Sequence, residues 1–297
     1  MIFLSILAVI LTIFAGYFLR IMKIVEADFG KKLLLISFYI TAPALFLRTL
    51  SVVELNASSG IYLIILLTAI VLSTMLGWMI TRLLKIKDRK RAGSIVLASS
   101  IMNTGFVLPF AQSAFGEQGV AVVALGNLVV ATSTFSIGYI IAAGYGDKTK
   151  NLKKIILKPL NAPPLVAIII ALVINFLNVD ISILHPILDF IGQPTGFIGA
   201  LALGILVKFK NYKFEILLPM LARYSVGLIL VVLLLYYIDM QNIEKSILTA
   251  SLLSPLGFNT VTLSSLEGLD VEYNATALSA SLLVGTIAVS CAILFLG

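Results

Sequence analysis

Two short clusters of residues stand out from an apolar background. Asn103-Thr104-Gly105 is followed by Pro109, and Pro255-Leu256-Gly257-Phe258-Asn259 carries a proline, a glycine and a carboxamide within five residues. Carboxamides and hydroxyls bind by hydrogen bonding; they do not cut covalent bonds. Gly and Pro inside an apolar helix free backbone groups that hydrocarbon cannot satisfy, so an interruption persists only where protein or a water-filled cavity supplies partners. The helix that restarts after such a break offers an N-terminus worth about +0.5 of a charge. Two such ends, brought together, attract an anion. Covalent chemistry has no comparable cluster: the sole His185 and sole Cys291 lie far apart with no nucleophile motif around either. One cysteine forms no intramolecular disulfide, and a histidine without neighbouring thiols builds no zinc site. The chain therefore reads as a non-enzyme with no metal and no cofactor.

The elements that must hold these clusters are membrane helices. Of 297 residues, 60 % are apolar and 12 % charged, against about 25 % charged in soluble domains, and mean hydropathy is +1.10. A span needs about 20 mostly apolar residues. Ten runs satisfy this: from Ile2 to Ile21, Lys32 to Leu50, Ile61 to Leu84, Gly93 to Phe115, Gly119 to Gly144, Ala162 to Asn178, Phe190 to Phe209, Phe214 to Ile238, Ile243 to Leu266 and Asn274 to Leu296. The first lacks a basic leading region and is expected to be a span, not a cleaved signal. Of the 21 Lys and Arg, four fall in 20–32, six in 82–91, five in 148–158 and three in 208–213. These are the odd connections, which the positive-inside bias places in the cytoplasm, leaving both termini extracellular. The net charge of +7 is thereby explained by topology, without a nucleic-acid partner.

The second half of the chain resembles the first at an offset of 151 to 152 residues. Pro43 in span two coincides with Pro194 in span seven, and Asn103 in span four falls opposite Pro255 in span nine. Short acidic turns follow both clusters, Gly116-Glu117 and Glu267-Gly268. Because each half holds five spans, an odd number, the two repeats are inverted. Such a pair can open to either side at similar energy, the basis of alternating access in many transporters. The domain division that follows is 1–147, a cytoplasmic linker 148–160, and 161–297.

Further polar residues lie at membrane depth. Arg223 is about 13 Å into span eight at the helical rise; it either meets an anionic ligand, snorkels to the cytoplasmic face, or pairs with Glu215. Gln112 and Asn127, with Thr132 and Ser133, either line a cavity or bond helix backbone. Gly192, Gly196 and Gly199 form a small-residue face on span seven that packs helices within one chain or between two. His185 is expected in an outer connection with a structural role. All 14 acidic residues sit in connections or at span ends, which disfavours cation exchange. Ser99, Ser100, Gln112 or Asn259 could still supply oxygens to Na⁺.

Residues 101–109, Ile-Met-Asn-Thr-Gly-Phe-Val-Leu-Pro, ending in Ala114-Phe115-Gly116-Glu117, resemble the fourth span of the auxin efflux carrier family. Thr41-Ala42-Pro43 resembles its second span, Gln193-Pro194-Thr195 its seventh, and Pro255 with Asn259 its ninth. The likeness covers nearly the whole chain and implies ten spans in two inverted five-helix repeats, a fold similar to bile acid/sodium symporters. It implies a scaffold from spans one, two, six and seven and a moving transport domain from the rest, in a homodimer. Asn103 and Asn259 carry over as crossing-point residues, and Pro109 and Pro255 as helix breakers. The usual Gly-Leu-Pro of span four reads Val107-Leu108-Pro109 here, and the proline of span eight is displaced to Pro219. The central connection, Tyr145 to Leu160, is short, which fits a prokaryotic member.

The expectation is an all-α protein of the cell membrane that carries a small organic anion, a mono- or dicarboxylate, as a uniporter or linked to protons. The alternatives are a sodium-coupled symporter and a non-transporting sensor on the same fold. The expected ligand contacts are Asn103, Thr104, Gly105, Gln112, Asn127, Arg223, Gly257 and Asn259, with Pro43, Pro109, Pro194 and Pro255 breaking helices.

Overall fold

The computed structural model describes residues 2–52, 60–146, 151–206 and 213–296. Lys148, Lys150, Lys208 and Lys210, which enter the charge pattern above, and the start of the expected linker lie outside the described residues. Among the described residues all regular structure is helical: α1 (Ile2–Ile21), α2 (Ala27–Ile36), α3 (Ala42–Leu50), α4 (Gly60–Leu83), α5 (Arg89–Ser100), α6 (Thr104–Ser133), α7 (Tyr139–Tyr145), α8 (Leu152–Leu157), α9 (Pro163–Phe176), α10 (His185–Gly192), α11 (Thr195–Leu206), α12 (Leu217–Tyr237), α13 (Asn242–Leu252), α14 (Asn259–Glu267) and α15 (Val271–Leu296). Six apolar stretches are long enough to cross a membrane: Ala27–Leu50, Gly60–Leu83, Gln118–Tyr145, Ser182–Leu206, Phe214–Tyr237 and Val271–Leu296. The apolar α9 is shorter.

Local chemistry explains where these helices bend and stop. Pro43 has no N–H for the Tyr39 carbonyl and would crowd it; the chain widens into a π-helical turn, Ser37–Thr41, before α3 begins. Pro194 sits in a gap of two residues between α10 and α11. The Asp88 carboxylate caps α5 by accepting from the backbone N–H of Lys90 at 2.9 Å and of Arg91 at 3.3 Å. Gly116 (φ 60°, ψ −141°) divides α6 into two helical segments, before and after it, and Gly268 (φ 78°) ends α14. The two left-handed glycines are separated by the same 152 residues that relate the sequence clusters.

Two expectations need correction. Span seven starts earlier than Phe190: Pro186 suits a first helical turn, so α10 begins at His185 and brings that histidine out of the connection. Pro109 does not break its helix: α6 runs through it, and the break lies upstream, at Ile101 to Asn103. The cost is confined to the carbonyl of exposed Gly105, which loses its helical donor.

Packing divides the helices into two groups. In the first, α1, α2, α3, α9, α10 and α11 make their main contacts with one another; in the second, α4, α5, α6, α12, α13 and α15 do so. Within the first group α1 and α11 approach through reciprocal glycines. A Cβ on Gly16 would lie 3.0 Å from the Ile205 amide nitrogen, and one on Gly204 2.9 Å from that of Tyr17.

Polar contacts at the helix ends join odd connections to odd and even to even. Arg20 donates to the Ile205 carbonyl at 2.7 Å, and Arg89 to that of Gly144 at 2.5 Å. Arg91 forms ion pairs with Glu215 and Asp270, both at 2.7 Å, and its guanidinium lies 4.6 Å from the Tyr273 ring centre. Burial opposes the Arg91 charge, but the two carboxylates outweigh it and hold the guanidinium above its ordinary pKa. Arg48 pairs with Asp189 at 3.1 Å, and the Asn175 amide donates to the Leu50 and Ser51 carbonyls at 3.3 and 3.1 Å.

Candidate functional site

The two sequence clusters meet. After Ser100 the backbone turns extended, with Ile101 at φ −100°, ψ 116°, and helix resumes at Thr104. The second break runs from the end of α13 at Leu252 to the start of α14 at Asn259. Between them lies an antiparallel bridge, Met102 with Leu256. The Asn103 N–H donates to the Pro255 carbonyl at 3.1 Å and the Gly257 N–H to the Ile101 carbonyl at 2.9 Å. Backbone groups that each break frees are thus satisfied by the other, which answers the demand for partners at membrane depth. Gly257 is needed for this approach, since a Cβ there would overlap the Ile101 side chain and lie 3.0 Å from the Met102 carbonyl oxygen.

The first break is held by its polar residues. Asn103, 9 % exposed, is the N-cap of α6: its side-chain oxygen accepts from the Phe106 N–H at 3.2 Å. The Asn103 carboxamide nitrogen is buried and has no hydrogen-bond partner among the described residues. Thr104 donates its hydroxyl to the Asn127 carboxamide oxygen, tying the start of α6 to the stretch beyond Gly116. Asn103, Thr104, Gly105 and Asn127 therefore belong to one neighbourhood, with Gly257 in backbone contact and half-buried Asn259 two residues further on. Gln112 does not join it: it is exposed, about 12 Å along α6 from Thr104 at the helical rise.

The second break is held by residues that the sequence did not single out. Ser281 on α15 accepts from the Leu256 N–H at 3.1 Å and donates to the Leu278 carbonyl at 2.7 Å. One turn on, Gly285 lets the rigid Pro255 ring lie against α15, where a Cβ would come within 2.6 Å of its Cδ. Small residues at i and i+4 in a span are a weak signal for such contact, because Ser and Gly pack membrane helices generally. Of the glycine face on span seven, Gly192 packs on Leu45 and Gly199 faces the Phe258 ring, whereas Gly196 has nothing within 4 Å of its would-be Cβ. The first two contacts lie within one chain.

Arg223 neither snorkels nor pairs with Glu215, which is taken by Arg91. It is 1 % exposed, and its Nη2 donates to the Ser251 carbonyl at 3.1 Å, the Ser254 carbonyl at 3.1 Å and the Ser254 hydroxyl at 3.0 Å. These acceptors lie at the end of α13, immediately before Pro255. Ser99 and Ser100 donate to carbonyls of their own helix, Ile95 and Leu97, both at 2.8 Å. Among the described residues no group of three or more His, Cys, Asp or Glu is placed to hold a metal ion.

The crossing thus presents a buried amide donor, Asn103, and the N-terminal ends of two helices, α6 and α14. Comparison with known proteins places the chain among transporters and names no cargo. A family model described as membrane transport protein matches residues 1–294. The chain is also similar to an uncharacterized transporter of Methanocaldococcus jannaschii, 27 % identical over 289 residues that cover 92 % of each chain.

Proposed function

The chain belongs to the membrane transport protein family, and from that premise we propose that it carries a small organic anion, a mono- or dicarboxylate, across the cell membrane by alternating access. The observation that carries this reading is the bridged pair of broken helices. Helices α6 and α14 restart beside that bridge; the N–H groups of Phe106, Thr260 and Val261 are held by Asn103, Gly257 and Phe258, and the positive dipole ends of both helices remain directed at the crossing. With the buried Asn103 amide they make a place for a carboxylate. The packing groups support a scaffold built on α1–α3 and α9–α11 and a transport domain built on α4–α6, α12, α13 and α15; the arrangement in inverted repeats and as a homodimer is part of the proposal and follows from the family resemblance. No acidic side chain neighbours the bridge in the chain, which favours uniport or proton linkage over cation exchange.

Uptake of radiolabelled mono- and dicarboxylates into proteoliposomes tests this directly. Saturable flux of one of them is expected; a ligand that binds without crossing would make the chain a sensor on a carrier fold, and a strict Na⁺ requirement would reject uniport. Orientation has its own test, with both termini and the even connections expected outside. In a Cys291→Ser background, an impermeant maleimide should label Ser182→Cys in intact cells and Lys87→Cys only after lysis. Equal labelling of the two would overturn the assignment.

A further inference from the structure

Where α13 stops, the Thr249 carbonyl accepts from the Leu253 N–H and the Ser251 carbonyl from the N–H and hydroxyl of Ser254, and the negative end of the helix dipole is buried with them. In carriers with broken helices, such an end, with unwound carbonyls and a hydroxyl, is where a coupling cation such as Na⁺ sits. Here the oxygens of that kind are the carbonyls of Ser251 and Ser254 and the Ser254 hydroxyl, and all three converge on one nitrogen, Arg223 Nη2, at 3.0 to 3.1 Å. The fit is built into the packing of α12 on α13. Four residues beyond Arg223, Gly227 allows the Leu252 carbonyl so close that a Cβ would lie 2.5 Å from it. Arg223 forms no ion pair among the described residues, so its counter-charge is this dipole end and not a carboxylate.

We infer that the Arg223 guanidinium is a resident cation, occupying in covalent form the place at the second break that a coupling Na⁺ would otherwise fill. The inference deepens the carrier reading and rests on it for its meaning in transport: occupancy is permanent, because arginine keeps its proton at any physiological pH, and the carrier has no vacancy for sodium at this end. The positive charge also stays next to Pro255, beside the crossing, where it favours an anionic ligand over a neutral one. Arg223 is thus a positioning residue for the second break.

The test is thermal unfolding of the purified full chain, with no transported ligand, in sodium, choline and low-millimolar guanidinium chloride. Wild-type melting is expected to be the same in sodium and choline. Arg223→Ala should melt lower in choline and recover, saturably, with guanidinium and in part with Na⁺. An Arg223→Ala protein indifferent to both cations, or a wild-type chain stabilised by Na⁺ over choline, would overturn the inference. If Arg223→Ala does not fold, Arg223→Lys and Arg223→Met decide: Lys should keep the melting temperature and Met should lose it, and equal loss would leave no role for the charge. Because no flux enters the readout, failure of the anion-carrier reading would show separately, in the proteoliposomes.

Discussion

Gly285→Ala is expected to abolish flux and to destabilise the chain by about 1 to 3 kcal/mol, the usual cost of overpacking. The new Cβ would stand 2.6 Å from Pro255 Cδ and 2.8 Å from the Pro255 nitrogen. Neither atom can swing away, since the ring is rigid and the nitrogen is backbone. The break must therefore move off α15, which pulls the Leu256 N–H from Ser281 and strains the bond between the Asn103 N–H and the Pro255 carbonyl. Gly196→Ala is the matched control, because its Cβ enters open space on α11; it should fold and transport as before. Melting curves with flux on both variants check this, and equal behaviour of the two would show that the Pro255 contact does not matter.

Asn103→Asp should fold nearly as well as the wild type yet lose more than about tenfold in anion flux, which corresponds to about 1.4 kcal/mol. An aspartate keeps the oxygen that accepts from the Phe106 N–H, and a negative charge suits the N-terminal end of α6. What it removes is the buried amide donor, and what it adds is a charge that repels an anion. Asn103→Ala should by contrast lose both, with about 0.5 to 2 kcal/mol of stability gone with the cap. Flux and melting temperature measured together separate the two roles. An Asp variant that transports at the wild-type rate would remove Asn103 from the ligand site.

How much of this was legible in the sequence depended on whether a residue violates its surroundings. Asn103, Gly257 and Asn259 stand out because polar or helix-breaking residues in an apolar run are expensive, so both interruptions could be located from composition alone. Pro194 falls in the gap between α10 and α11, whereas the helix continues past Pro43 through a π turn from Ala27 to Leu50. Pro109 misled because a proline in the second turn of a helix forfeits only one bond, here that of the Gly105 carbonyl. The partners of Arg223 were not readable, since the carbonyls of Ser251 and Ser254 are backbone groups that every residue carries. Nor was the pairing of Met102 with Leu256, two ordinary apolar residues joined only through the main chain around them. Ser281 and Gly285 looked like routine packing residues; what gives them a role is the Pro255 segment across the gap.

The main-chain bonds between residues 101 and 257 and between 103 and 255 bind each half of the protein to the other at the one point where both are unwound. Neither half can then act as a separate gate, for displacing one peptide drags its counterpart along. If the chain is the carrier proposed above, the two unwound segments should travel as one body, and its shuttling should register as one kinetic phase, with no state in which only half of the machine has shifted.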